Sequence, residues 1–81
     1  MNTLPNLIHR LSQNPFDYLL NFDVAQEYLR LNQTASAVSF YLRCAEYGVD
    51  DEEASNYVYS SLLAIARCYD SQKGQIGRAH V

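Results

Sequence analysis

Leu4, Leu7, Ile8 and Leu11 stand at i, i+3, i+4 and i+7, the spacing of one face of an α-helix. The same period returns three more times. It runs through Val24, Ala25, Tyr28, Leu29 and Leu31, then through Ala37, Val38, Tyr41, Leu42, Cys44 and Ala45. It returns last through Tyr57, Val58, Leu62, Leu63, Ile65, Ala66 and Tyr69. An 81-residue chain patterned in this way holds at most one small all-α domain. Its three Gly and two Pro are too few for a turn-rich barrel or sandwich, or for a disordered linker. A chain this short buries only about 60% of its unfolded surface, so its core is thin.

Local signals divide the helices. Thr3 can cap the first, and Pro5 sits in its first turn, where a missing N–H costs little. Asn14-Pro15 ends it, because Pro restricts the residue before it. Residues 1–16 therefore read as a leading amphipathic helix and connection. The stretch to Asn21 reads as linking chain anchored by Phe16 and Leu19. Two further helices are expected over about 22–32 and 34–47, with Thr34 as a cap. Gly48 is expected to follow the third as a left-handed C′ residue. Links this short make consecutive helices antiparallel neighbours in an αα-hairpin. Asp50 with Glu53 resembles a capping box for a fourth helix. The run Asp50, Asp51, Glu52 and Glu53 suits a helix start better than a metal site. That helix is expected to reach about Ser71 and to stop at Gly74.

The formal charge of −3 argues against a nucleic-acid partner, which calls for a basic face. One Lys in the chain gives no polybasic patch for a membrane surface, and no apolar run is long enough to span a bilayer. Met1 to Leu11 lacks the apolar core of a signal peptide. Cys44 and Cys68 are too few for a disulfide scaffold or a zinc site. The expectation is a soluble, reduced, cytoplasmic chain without cofactor or metal.

Helical chains are decided by their repeats. Ala25 and Tyr28 share a spacing with Ala66 and Tyr69. A small residue three before an aromatic one places both on one face, where helices approach closely. Here the chain resembles the tetratricopeptide repeat family. Ala25 and Tyr28 match the small and aromatic positions of that family's first helix. Ala37, Tyr41 and Cys44 match those of its second. The early Trp and the closing Pro of the family pattern are absent, and the acidic link lengthens the spacing beyond about 34 residues. The resemblance implies one repeat over 17–50 and the first helix of a second, truncated repeat over 51–74, as in a shortened α-solenoid. Its packing residues would be Ala25, Tyr28, Ala37, Tyr41, Cys44, Ala66 and Tyr69.

A narrower likeness lies in QTASAVSFYLRCAE at 33–46, followed by YSSLLAIARCYDSQ at 59–72. It is similar to the N-terminal helical segment of glycosyltransferases in phages and environmental bacteria. Two functions are implied. One is a non-catalytic module presenting a concave helical surface to a peptide or an adjoining domain. The other is the front of a glycosyltransferase whose catalytic domain is missing from this chain. The family's concave face maps to Phe22, Gln26, Leu29, Arg30, Leu63, Arg67 and Asp70. Arg30 and Arg67 would then stack to hold a carboxylate, against the plainer reading of two solvated side chains. Solenoid units bury their faces against neighbours. A truncated repeat is therefore expected to expose an apolar strip between Tyr57 and Tyr69, to be marginally stable and to self-associate.

Catalytic constellations are scarce. No Gly-rich phosphate loop occurs. His9 reads as a partly exposed structural residue rather than a general base. Cys44 reads as small-residue packing rather than a nucleophile, and Cys68 is the less settled of the two thiols. Asp17 and Asp23 read as a turn residue and a first-turn dipole partner rather than a carboxylate pair. Tyr47, Tyr57 and Tyr59 suit edge positions. The tail, 75–81, differs from everything before it. With one choice of codons its last six residues resemble the translated start of a sequencing adapter, which would make it non-native; an ordinary frayed terminus is the alternative.

Overall fold

A computed structural model describes residues 3–80 of the chain, with side chains described through Ser71. Among these residues there are four α-helices and no strand: α1 (Thr3–Gln13), α2 (Tyr18–Arg30), α3 (Thr34–Gly48) and α4 (Ser55–His80). A 3-10 turn, Glu52–Ala54, precedes α4. The all-α hairpin architecture expected from the apolar period is present. Tyr18 lies by Gly48 and Phe22 by Tyr41, so α2 and α3 run antiparallel.

Two apolar clusters form the core. Leu4 and Leu7 of α1 pack with buried Leu11, Leu20 and Val24. Ala25, Ala37, Tyr41 and Ile65 make the second cluster, where α2, α3 and α4 meet. Ala25 and Ala37 have no exposed surface, which is how small side chains let α2 and α3 approach closely. Tyr28 stacks on Phe40 at 5.5 Å and joins the two clusters.

The helix ends differ from the sequence expectations in ways that hydrogen bonding explains. Helix α2 begins at Tyr18, a full turn before the expected Phe22. The Asp17 carboxylate accepts from the backbone N–H of Leu19 (2.9 Å) and Leu20 (3.1 Å), satisfying donors that would otherwise be orphaned. Buried Asn21 then ties down the preceding turn by donating to the carbonyls of Pro15 and Asp17. Phe16 is an exposed residue rather than a buried anchor, edge-on to Tyr47. Thr3 is not a cap; it lies in the first turn, and its hydroxyl donates to Glu27 Oε1 at 2.8 Å. Thr34 is the first helical residue of α3, not its cap.

Helix α2 closes on Asn32, whose φ of 63° is left-handed. The Gln33 N–H reaches the Tyr28 carbonyl and the Asn32 N–H reaches that of Leu29, both at 2.9 Å. This is a Schellman closure with Asn in the place Gly usually takes. Gly48, by contrast, is not left-handed. It is the last residue of α3, buried, and its use is steric. A Cβ there would lie 3.0 Å from both Ala54 Cβ and Val58 Cγ2. Before α4 the cap is Asp51, which accepts from the Glu53 N–H at 2.9 Å, rather than Asp50. Helix α4 continues past Gly74 to His80. Glycine inside a helix costs about 1 kcal/mol but ends one only where the backbone turns left-handed. The tail's side chains and all of Val81 lie outside the described residues.

The phase of α4 also differs. Ala66 and Tyr69 were expected to pack, yet both are exposed, Tyr69 to 58%. The buried residues of α4 are Ser61, Ile65 and Cys68, in line with buried Ala54 of the preceding 3-10 turn. Contact at Gly48 explains the rotation. It seats Ala54 and Val58 against α3, and residues in register with them follow every three or four positions.

Candidate interaction groove

Helices α2 and α4 flank Tyr41 of α3 and leave an open groove of about 710 Å³ between them. Phe22, Gln26 and Leu29 of α2 form one wall. Ser60, Leu63, Ala64 and Arg67 of α4 form the other, with Cys68 and Ser71. Asn32 and Thr34 close the end at the α2–α3 turn. Five of the seven residues mapped from sequence, Phe22, Gln26, Leu29, Leu63 and Arg67, thus meet on one surface. Arg30 and Asp70 do not line it.

Aromatic rings pack where α2 meets α3 and α4. Phe22 stands edge-on to Tyr41 at 5.8 Å and to Tyr57 at 5.2 Å. Tyr41 is 3% exposed, and burial first, then the neighbouring Cys68 and Cys44, raises its phenol pKa. It is therefore a neutral hydroxyl at neutral pH. Leu29 and Leu63 remain exposed at 39% and 37%, one on each wall.

Arg67 is the one charged residue among those lining the groove, and no carboxylate is among them. Among the described residues it has no ion-pair partner. Arg30 is spent differently. Its guanidinium forks onto Glu27, with Nη2 at 2.9 Å and Nε at 3.2 Å from the carboxylate. The Arg30 bond first, then the Thr3 hydroxyl, holds the Glu27 carboxyl below the usual range. Helical geometry places Glu27 three residues from Arg30, within reach along the helix surface, and Arg30 does not join Arg67 in the groove. Burial first, then Asp51, Glu53, Tyr57 and Asp17, raises the Tyr18 pKa at the other end of α2.

A smaller hollow of about 410 Å³ lies between α1 and α2, with Arg10 and Asp23 among the residues that line it. Burial raises the Asp23 pKa and Arg10 only partly opposes it. Asp23 is in the second turn of α2 rather than its first. His9 is exposed, 3.4 Å from Gln13 Nε2. Cys44 is fully buried, with its thiol 3.9 Å from the Tyr57 carbonyl; burial pushes it up, and the nearby Ser61 opposes that. A thiol held protonated in this way is a packing group, as its small size suggested. Among the described residues no three His, Cys, Asp or Glu side chains gather as a metal would need. No helix among them is long and apolar enough to cross a membrane.

Sequence reasoning did not place Asn32, Ser60 or Ser71 in the groove. For the two serines a signal existed: Ser60, Leu63, Ala64, Arg67 and Ser71 repeat with helical spacing on the flank of the buried set. Neither a protein-family model, nor a curated protein, nor a solved structure matches the chain.

Proposed function

We propose that the chain is a non-catalytic interaction module and that the groove between α2 and α4 holds an extended peptide segment bearing a carboxylate. The supporting observation is that apolar side chains on both walls, Phe22, Leu29 and Leu63, stand among uncharged polar ones beside a single cation, Arg67. The apolar side chains supply contact area, and the polar groups between them fix orientation. In a chain of net charge −3, a groove with one cation and no lining carboxylate selects an acidic ligand over a basic one. Arginine suits this task because its planar fork meets a carboxylate with two hydrogen bonds.

A panel of short peptides tests the reading. Each carries two apolar side chains, followed by Asp, Asn or Lys, and is titrated against isotope-labelled protein. Chemical-shift changes are expected to centre on Leu29, Leu63 and Arg67, with the Asp peptides binding best. Arg67→Ala should weaken them roughly tenfold while leaving the Asn peptides nearly unchanged. Equal binding of all three series, or shifts scattered over the surface, would discard the groove as the site.

A further inference from the structure

Helix α4 presents three distinct faces. Val58, Ser61, Ile65 and Cys68 turn toward the core side, with Ser61, Ile65 and Cys68 buried. Ser60, Leu63, Ala64 and Arg67 turn toward the groove. The remaining face carries Tyr59, Leu62, Ala66 and Tyr69, spaced three, four and three residues apart. That is the a/d spacing of a helix-pairing seam. All four are exposed, Tyr59 to 68%, Leu62 to 52% and Tyr69 to 58%. Single exposed apolar residues are ordinary on a protein surface. Four in pairing register on one helix, with no charge among them, form a continuous strip.

We infer that a second copy of this chain covers this strip, with the two α4 helices packed antiparallel about a two-fold axis between Leu62 and Ala66. The strip reads the same in spacing from either end, so a two-fold axis returns it onto itself. Antiparallel pairing sets Leu62 of one copy against Ala66 of the other, large on small, and does so twice. It also brings Tyr59 against Tyr69 at both ends, where aromatic pairs add to the area they bury. Parallel pairing would instead face Ala66 with Ala66 and leave a gap between them. Antiparallel helices further set opposite dipole ends side by side. The four side chains offer at most on the order of 400–500 Å² per copy, about 800–1,000 Å² in total, which is less than a stable specific interface buries and falls in the range of weak, transient ones. The dimer is therefore weak and concentration-dependent, and the groove on the other flank of α4 stays open in it.

Sedimentation velocity of the full chain, from a few micromolar to several hundred micromolar, tests this. The mass is expected to rise from 9.3 kDa toward twice that value. Leu62→Glu and Ala66→Lys should each hold the chain monomeric, with circular dichroism unchanged because both positions are outside the core. An equimolar mixture of the two variants should dimerise again. Antiparallel pairing gives that mixture one carboxylate–ammonium contact and keeps one native Leu62–Ala66 contact. A wild-type chain that is monomeric throughout, or a dimer indifferent to Leu62→Glu, would overturn the proposal. Failure of the mixture to pair would overturn the antiparallel register.

Discussion

Gly48 and Val58 meet so closely that a single methyl group on Gly48 would stand 3.0 Å from Val58 Cγ2. The same methyl would stand 3.0 Å from the Cβ of Ala54, which has no exposed surface and no room to retreat. This contact fixes how near α4 comes to α3 and which of its faces turns inward.

Gly48→Ala weighs two effects of similar size. Alanine gains about 1 kcal/mol of helix propensity over glycine, and the backbone here is not left-handed, so nothing local forbids it. Overpacking a closed site costs about 1–3 kcal/mol. Two contacts at once, one on an immobile neighbour, favour the second effect. The variant is expected to lose about 1 kcal/mol in urea unfolding. A variant as stable as the wild type would show that α4 can shift away from α3.

Asn32 offers a test of backbone rather than packing. A β-branched side chain is strained in the left-handed region, whereas Asn tolerates it and Gly meets no barrier. Asn32→Val is expected to destabilise by about 1–2 kcal/mol, and Asn32→Gly to change stability little. Thermal melts of the pair decide the matter. Equal losses in both would mean that the Asn32 side chain, not its φ, is what matters at this turn.

The apolar period made the helices legible, because a stripe that repeats every three or four residues has no other way to be buried. The Phe22, Gln26, Leu29 wall followed once the inward face of α2 was set by Ala25. Two kinds of information were not local. The start of α2 depends on Asp17 reaching forward to two backbone N–H groups, and the nearby Pro15 masked that signal as linking chain. The inward face of α4 depends on Gly48, one helix earlier, and a match of Ala66 with Ala25 put Ala66 and Tyr69 into the core in place of Ile65 and Cys68, each one residue and so about 100° away. The groove side of the helix was legible: Leu63 and Arg67 line it as mapped, and only Asp70 stands where Ser71 belongs.

Asp17 gives the most direct check on the helix start. Asp17→Ala removes the acceptor for the Leu19 and Leu20 N–H groups, and loss of such a cap costs about 1 kcal/mol. Asp17→Asn and Asp17→Ser keep an acceptor and should retain most of that stability. Amide exchange at Leu19 and Leu20 should rise in the Ala variant alone. Unchanged protection there would place the true start of α2 elsewhere.

Glu27 and Asp23, one turn apart on α2, should impose opposite pH dependences. Arg30 and Thr3 hold the Glu27 carboxyl below its ordinary value. Its ionised form therefore stabilises the fold above the ordinary carboxylate pKa, and that contribution is lost as pH falls through the lowered value. Burial raises Asp23 instead. The folded state then takes up its proton before the unfolded chain does, and stability from this group declines as pH rises through the raised value. Glu27→Gln is expected to lower the melting temperature at neutral pH, with the difference closing in acid. Asp23→Asn is expected to raise it at neutral pH, and that gain should vanish below the ordinary carboxylate range. The side chain of Glu27 is partly exposed, so its effect should also shrink in high salt. Melting curves of the two variants across this pH range, set beside the wild type, give the sign of each. A common sign for both would mean that Asp23 is held by Arg10 more strongly than it is penalised by burial.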